Sequence, residues 1–140
     1  MRDGEKDLDV LLRNMDPEIK PGKFVFCSLK DPQSRDLVTF AQGVFREEEG
    51  FTLILPKQRA VELGVTPGTI YRRITLTVHS SLNAVGLLAE VTGVLAAAEI
   101  SVNVCSAYFH DHLFVAEEEA QRAIKLLKAL QARQSVEGGG

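Results

Sequence analysis

The chain is short of the residues from which several common kinds of chemistry are built. Its 140 residues include two cysteines, Cys27 and Cys105, far apart and without C-x-x-C spacing. That excludes a disulfide framework, a zinc ribbon and a dithiol redox pair, and it fits reduced, buried thiols in a cytoplasmic protein. Positive charge is not in excess either. Sixteen Lys and Arg stand against nineteen Asp and Glu, a net charge of −3, and both halves of the chain are slightly acidic. A protein that neutralises a run of phosphates needs a basic patch, so nucleic acid is not an expected partner. The aromatic strand motif of RNA-binding ferredoxin-like domains is missing as well. No long apolar run is present: the longest uncharged stretch, Ile74 to Ala89, is interrupted by His79, Ser80, Ser81 and Asn83. It is too short and too polar to span a bilayer, and no membrane association is expected. The first ten residues mix charges without the apolar segment of a leader.

Signatures of catalysis are absent too. The sequence contains no G-x-S-x-G elbow, no P-loop and no G-x-G-x-x-G. His79 precedes Ser80 and Ser81, but neighbours on a strand project to opposite faces. Cys105 sits in an alternating strand and reads as core. His110 and His112 flank Asp111, yet H-x-H has no fixed third ligand, and a zinc site wants three or four. The expectation is a protein that is not an enzyme, with no cofactor and no metal.

What is present is ordinary globular material, 45% apolar and 25% charged, arranged as short alternating elements. Asp7 to Met15 carries Leu8, Leu11, Leu12 and Met15 at helical spacing. Pro17, Pro21 and Gly22 break the chain before a strand at Lys23 to Leu29. Asp31, Pro32 and Ser34 make a turn. Gly43 to Phe45 and Phe51 to Leu55 flank a charged tip as a hairpin, with Gly50 available for positive φ. Pro56 opens a short helix over Lys57 to Leu63, which Gly64 closes.

The second half is more sharply patterned. Ile74, Leu76 and Val78 alternate with Arg73, Thr75 and Thr77 as a half-buried strand. A polar loop, Ser80 to Asn83, precedes the stripe Ala84, Leu87, Leu88, Val91, Val94, Leu95 and Ala98 of a core-facing helix. Ile100 to Ser106 and His112 to Val115 pair as a hairpin around His110 and Asp111. Glu117 to Arg133 is a helix with acid first and base last, the polarity favoured by the helix dipole. From Tyr71 the order is thus β-α-β-β-α, a split βαβ unit short of one strand, and nothing in Ser135 to Gly140 builds that strand. The fold class is α+β, two ferredoxin-like modules packed together, each too small to be comfortable alone. The expected division is 1–70, 71–136 and a flexible tail at 137–140.

Particular runs carry a resemblance. Ile74-Thr-Leu-Thr-Val-His-Ser-Ser-Leu-Asn-Ala-Val-Gly-Leu-Leu-Ala-Glu-Val is similar to the opening strand, ligand loop and helix of an ACT domain. Ile100-Ser-Val-Asn-Val-Cys-Ser-Ala-Tyr is similar to the second strand of the ACT domains of aspartate kinases, with Asn103 in the Asn place. Tyr108 to Val115 resembles the following hairpin, with Asp111 in its Asp place. Phe24-Val-Phe-Cys, Phe51-Thr-Leu-Ile-Leu-Pro and Ala60-Val-Glu-Leu-Gly resemble the first module of a small family of uncharacterised two-module ACT proteins. The resemblance implies a regulatory, non-catalytic sensor that binds an amino acid at a module interface and forms a homo-oligomer, a dimer. It places the ligand on Ser80, Ser81, Leu82, Asn83, Ala84, Val85 and Gly86, with Asn103, Val104 and Asp111. The residues themselves are compatible with this, because a strand-to-helix loop offers unpaired N–H groups to a carboxylate. A plainer role is open: Ser81 or Asn83 caps the helix, and Asn103 and Asp111 fix turns. An assembly module that pairs through exposed sheet edges is the alternative function.

Overall fold

The computed structural model describes residues 4–31 and 35–138, so the turn expected at Pro32 to Ser34 and the last residues of the tail lie outside the described residues. The chain separates into two compact units, one comprising the residues up to Pro21 together with Arg72 onward, the other Gly22–Tyr71. Each is a mixture of strands and helices, the α+β class expected.

The larger unit begins with α1 (Leu8–Arg13). Asp7 caps it, its carboxylate accepting from the Val10 N–H at 3.1 Å, which satisfies one of the orphan donors of the first turn. Strand β1 (Pro17–Leu29) follows, and its first residues up to Pro21 belong to this unit. Then come β4 (Tyr71–Leu76), α4 (Leu87–Ala97), β5 (Asn103–Ser106), β6 (Asp111–Ala116), a 3-10 turn at Glu117–Glu119 and α5 (Ala120–Gly138). The strands lie in the order β1-β4-β6-β5. The strand that the second half lacks is therefore supplied from its amino-terminal side. Thr77 N–H donates to the Met15 carbonyl at 3.0 Å and the Arg72 guanidinium to the Lys20 carbonyl at 3.4 Å, so β1 runs antiparallel to β4 here.

Proline and glycine do not break β1 as the sequence suggests. Pro17 opens the strand, where a missing N–H is tolerated, and Gly22 turns the backbone with φ +104°. Leu11 and Leu12 from α1 and Met15 just after it are buried with Ile74 and Leu76, Leu113 and Val115, Val91 and Leu95, and Leu127 and Leu130 in one core. Helices α1, α4 and α5 thus share a single face of the sheet. The opposite face is not left to water as the alternation implies, for Thr75 is 3% exposed and its hydroxyl meets His112 Nδ1 at 2.9 Å.

Gln131 ties α5 to the turn between α1 and β1. Its amide donates to the Arg13 carbonyl and to the Asp16 carboxylate, both at 2.7 Å, and its oxygen accepts from the Asp16 N–H at 3.0 Å. Helix α5 continues through Gly138, beyond the start expected for a flexible tail.

The smaller unit contains the rest of β1, α2 (Arg35–Phe40), β2 (Gly43–Glu47), β3 (Gly50–Pro56) and α3 (Lys57–Glu62). β3 pairs antiparallel with both β1 and β2. Gly50 has φ +147° and a β-carbon there would lie 2.8 Å from the Leu29 carbonyl oxygen, so the hairpin needs glycine for conformation and for space. Its core centres on Val25, Leu53, Leu55 and Ala60. Phe40 stacks under the Arg59 guanidinium at 3.8 Å, a contact that holds α2 to α3. Helix α2 is not among the elements expected from the sequence, although Leu37 and Ala41 lie four residues apart and both pack on this core.

Candidate ligand site

The larger unit carries a pocket of about 130 Å3 where β4 hands over to α4. Its lining joins two stretches far apart in sequence: Ser80, Ser81, Leu82, Ala84 and Gly86 through Ala89 on one side, and Ser106, Ala107 and Asp111 on the other. The hairpin register explains the second group, since Ser106 lies directly opposite Asp111 in the β5–β6 ladder. The Ala107 N–H donates to the His110 carbonyl at 3.0 Å and closes the turn between them.

Asp111 is 7% exposed, and a buried carboxylate requires partners. The Ser80 hydroxyl donates to its Oδ2 at 3.3 Å. The first turn of α4 lines the same pocket. Gly86 stands at the N-cap with φ +102° and gives no side-chain cap. The first intrahelical bond runs from Glu90 N–H to the Gly86 carbonyl, so the N–H groups of Leu87, Leu88 and Ala89 have no partner inside the helix. The pocket lining therefore combines donors at a positive helix end with a carboxylate and hydroxyls.

The expected site residues are distributed unevenly. Ser80, Ser81, Leu82, Ala84, Gly86 and Asp111 line this pocket. Asn83 lines a neighbouring pocket of about 190 Å3 with Gly4, His79, Ser81, Leu82 and Tyr108. Val85 is 83% exposed and lines neither. Asn103 is exposed at the start of β5 opposite Phe114, and Val104 packs against the core. The helix caps are not those expected: Ser81 Oγ accepts from the Asn83 N–H at 3.0 Å, a local turn, and α4 begins later at Leu87. Leu87, Leu88, Ala89, Ser106 and Ala107 escaped the sequence reading. Pairing Ser106 against Asp111 across the expected hairpin would have found Ser106.

The histidines sit beside the site without forming a metal centre, and among the described residues no group of three potential ligands converges. His110 Nδ1 lies 3.2 Å from the Val78 carbonyl. His112 is partly buried, and burial pushes its pKa below the usual histidine value; the Arg73, His110 and Lys20 charges push the same way and Asp111 opposes them. Both thiols are unbridged, and burial raises the pKa of each.

Comparison with known proteins concerns the family and the fold. The family model described as ACT domain matches residues 3–72, and a second ACT domain model matches residues 69–129. A crystal structure of a protein of unknown function from Vibrio cholerae, described as a possible transport protein, is 42% identical with a TM-score of 0.76. The match covers 85% of this chain and 92% of that one. The ligand-free regulatory subunit of aspartate kinase from Thermus thermophilus is 8% identical with a TM-score of 0.60, over 81% of this chain and 95% of that one. Aspartate kinase from Clostridium acetobutylicum is also 8% identical, TM-score 0.61, over 84% of this chain and 34% of that longer one. At such identity these two likenesses concern the fold. No curated protein matches the sequence. No helix among the described residues is long and apolar enough to cross a membrane.

Proposed function

The chain belongs to the ACT-domain family, whose modules are regulatory and generally bind small ligands, and from that premise we propose a non-catalytic sensor of a small α-amino acid. The ligand occupies the pocket between the loop 80–86, the first turn of α4 and Asp111. One observation carries the reading: the first turn of α4 and the Asp111 carboxylate line a single pocket. An α-carboxylate suits the unpaired N–H groups of Leu87, Leu88 and Ala89, where the helix dipole favours negative charge. The ammonium on the adjoining carbon suits the Asp111 carboxylate, which a charge-assisted hydrogen bond would satisfy better than a hydroxyl alone. The unbridged Cys27 and Cys105 support a reducing, cytoplasmic setting.

The test is thermal unfolding of the full chain against the common L-amino acids at millimolar concentration. A ligand at about a hundred times its dissociation constant adds roughly 2.7 kcal/mol, a shift of several degrees at this length. Asp111→Asn is expected to lose most of that shift, whereas Asn103→Ala, outside the pocket lining, keeps it. A flat panel overturns the reading.

A second reading, assembly into a homodimer through a sheet edge, is favoured by β2. This strand pairs with β3 on one side, and its Phe45 is 71% exposed, the kind of apolar edge that recruits another strand. Sedimentation of the chain and of Phe45→Lys decides it: an unchanged, concentration-independent mass in both removes assembly through this edge.

A further inference from the structure

The amino-terminal segment grips both ends of the ligand loop. Glu5 donates its N–H to the His79 carbonyl at 2.9 Å, and its carbonyl accepts from the Ser81 N–H at 2.9 Å. Glu5 and Ser80 thereby form an isolated parallel bridge. Gly4 lies against the same backbone, where an added β-carbon would sit 2.5 Å from the Ser80 carbonyl carbon and 2.6 Å from the Ser81 nitrogen. At the far end of the loop, Leu8 covers Gly86: a β-carbon there would meet Leu8 Cδ2 at 3.1 Å. Gly4 also forms part of the pocket lined by His79 and Tyr108.

The bridge engages the backbone on either side of Ser80, and the Ser80 side chain is held separately by Asp111. Ser80 is thus fixed from two directions, and one of them is a segment outside the strand–loop–helix motif. We propose that residues 4–8 are a strap that holds the loop 80–86 in its ligand-receiving shape, so that strap docking and ligand binding are linked. The inference rests on the ligand reading given above. Linkage is reciprocal: whatever factor the docked strap adds to ligand affinity, the ligand adds to strap docking. Backbone-to-backbone contacts suit this role, because they depend on the position of the chain and not on one side chain. The strap runs directly into α1, whose Leu11 and Leu12 are buried in the core, and through β1 into the smaller unit. Ligand occupancy therefore reaches α1 through the two hydrogen bonds of Glu5 and the chain that follows it.

Two variants of the full chain test it: Gly4→Val, for which no space exists beside Ser80, and removal of residues 1–6, which leaves the Asp7 cap and α1 intact. The readouts are amide exchange at Ser81 and titration with whichever L-amino acid shifts the unaltered chain most. The expected result is a native circular dichroism spectrum, Ser81 exchange about tenfold faster and binding weaker by about fivefold or more. Unchanged exchange at Ser81 in both variants overturns the strap. Faster exchange with unaltered amino-acid affinity overturns the linkage. If no amino acid binds the unaltered chain, the ligand reading fails separately, and Ser81 exchange alone decides whether the strap exists.

Discussion

Truncating Leu12 to alanine probes whether α1 belongs to the core of the carboxy-terminal elements. Leu12 is 2% exposed and lies in the cluster that also holds Leu87, Val91, Leu95 and Leu127. Removing three buried carbons loses transfer free energy of about 0.8 kcal/mol per methylene. A cavity adds to that, because helices α4 and α5 and the strands behind them cannot close over it freely. The two contributions come to about 3 kcal/mol, a large fraction of the 5–15 kcal/mol typical of a domain. Urea unfolding followed by circular dichroism should show the midpoint of Leu12→Ala lowered by roughly 1.5 M at unchanged slope. Val61→Ala, at an exposed position of α3, serves as the control and should shift stability by less than about 0.5 kcal/mol. A loss below about 1 kcal/mol for Leu12→Ala would refute the claim that α1 completes this core.

Gln131→Ala removes the hydrogen bonds to Arg13 and Asp16 and should cost about 1–2 kcal/mol by chemical denaturation; a cost near zero would mean that water replaces the amide fully. His112 has its pKa lowered in the folded chain by burial first and by Arg73 next. The unfolded chain therefore takes up a proton more readily, and stability falls as pH drops through the ordinary histidine range and below it. Between about pH 7 and about pH 5 the loss should be smaller in His112→Gln, and identical pH profiles for the two proteins would contradict the assigned cause.

Most of the local structure follows from the sequence because local rules govern it. The apolar stripe from Leu87 to Leu95 needs a helix to reach one face, and Gly50 and Gly64 adopt the positive φ that their turns require. The loop 80–86 is legible as a candidate site because a strand-to-helix junction offers unpaired N–H groups, whereas Asp111 enters only through the resemblance to ACT domains, and its burial is a property of the structure. What the sequence does not determine is set by contacts between distant residues. Pro17, Pro21 and Gly22 read as a break because propensity describes a strand in isolation, whereas β1 is held by its neighbours on the sheet. The amphipathic spacing of α1 shows that a face is buried, not which partners bury it. The same holds at the pocket. Composition supplies the serines and the carboxylate, but only tertiary structure brings Ser106 and Asp111 into one pocket with the open first turn of α4 and lays Glu5 along Ser80. Backbone hydrogen bonds of that kind leave no side-chain pattern to read.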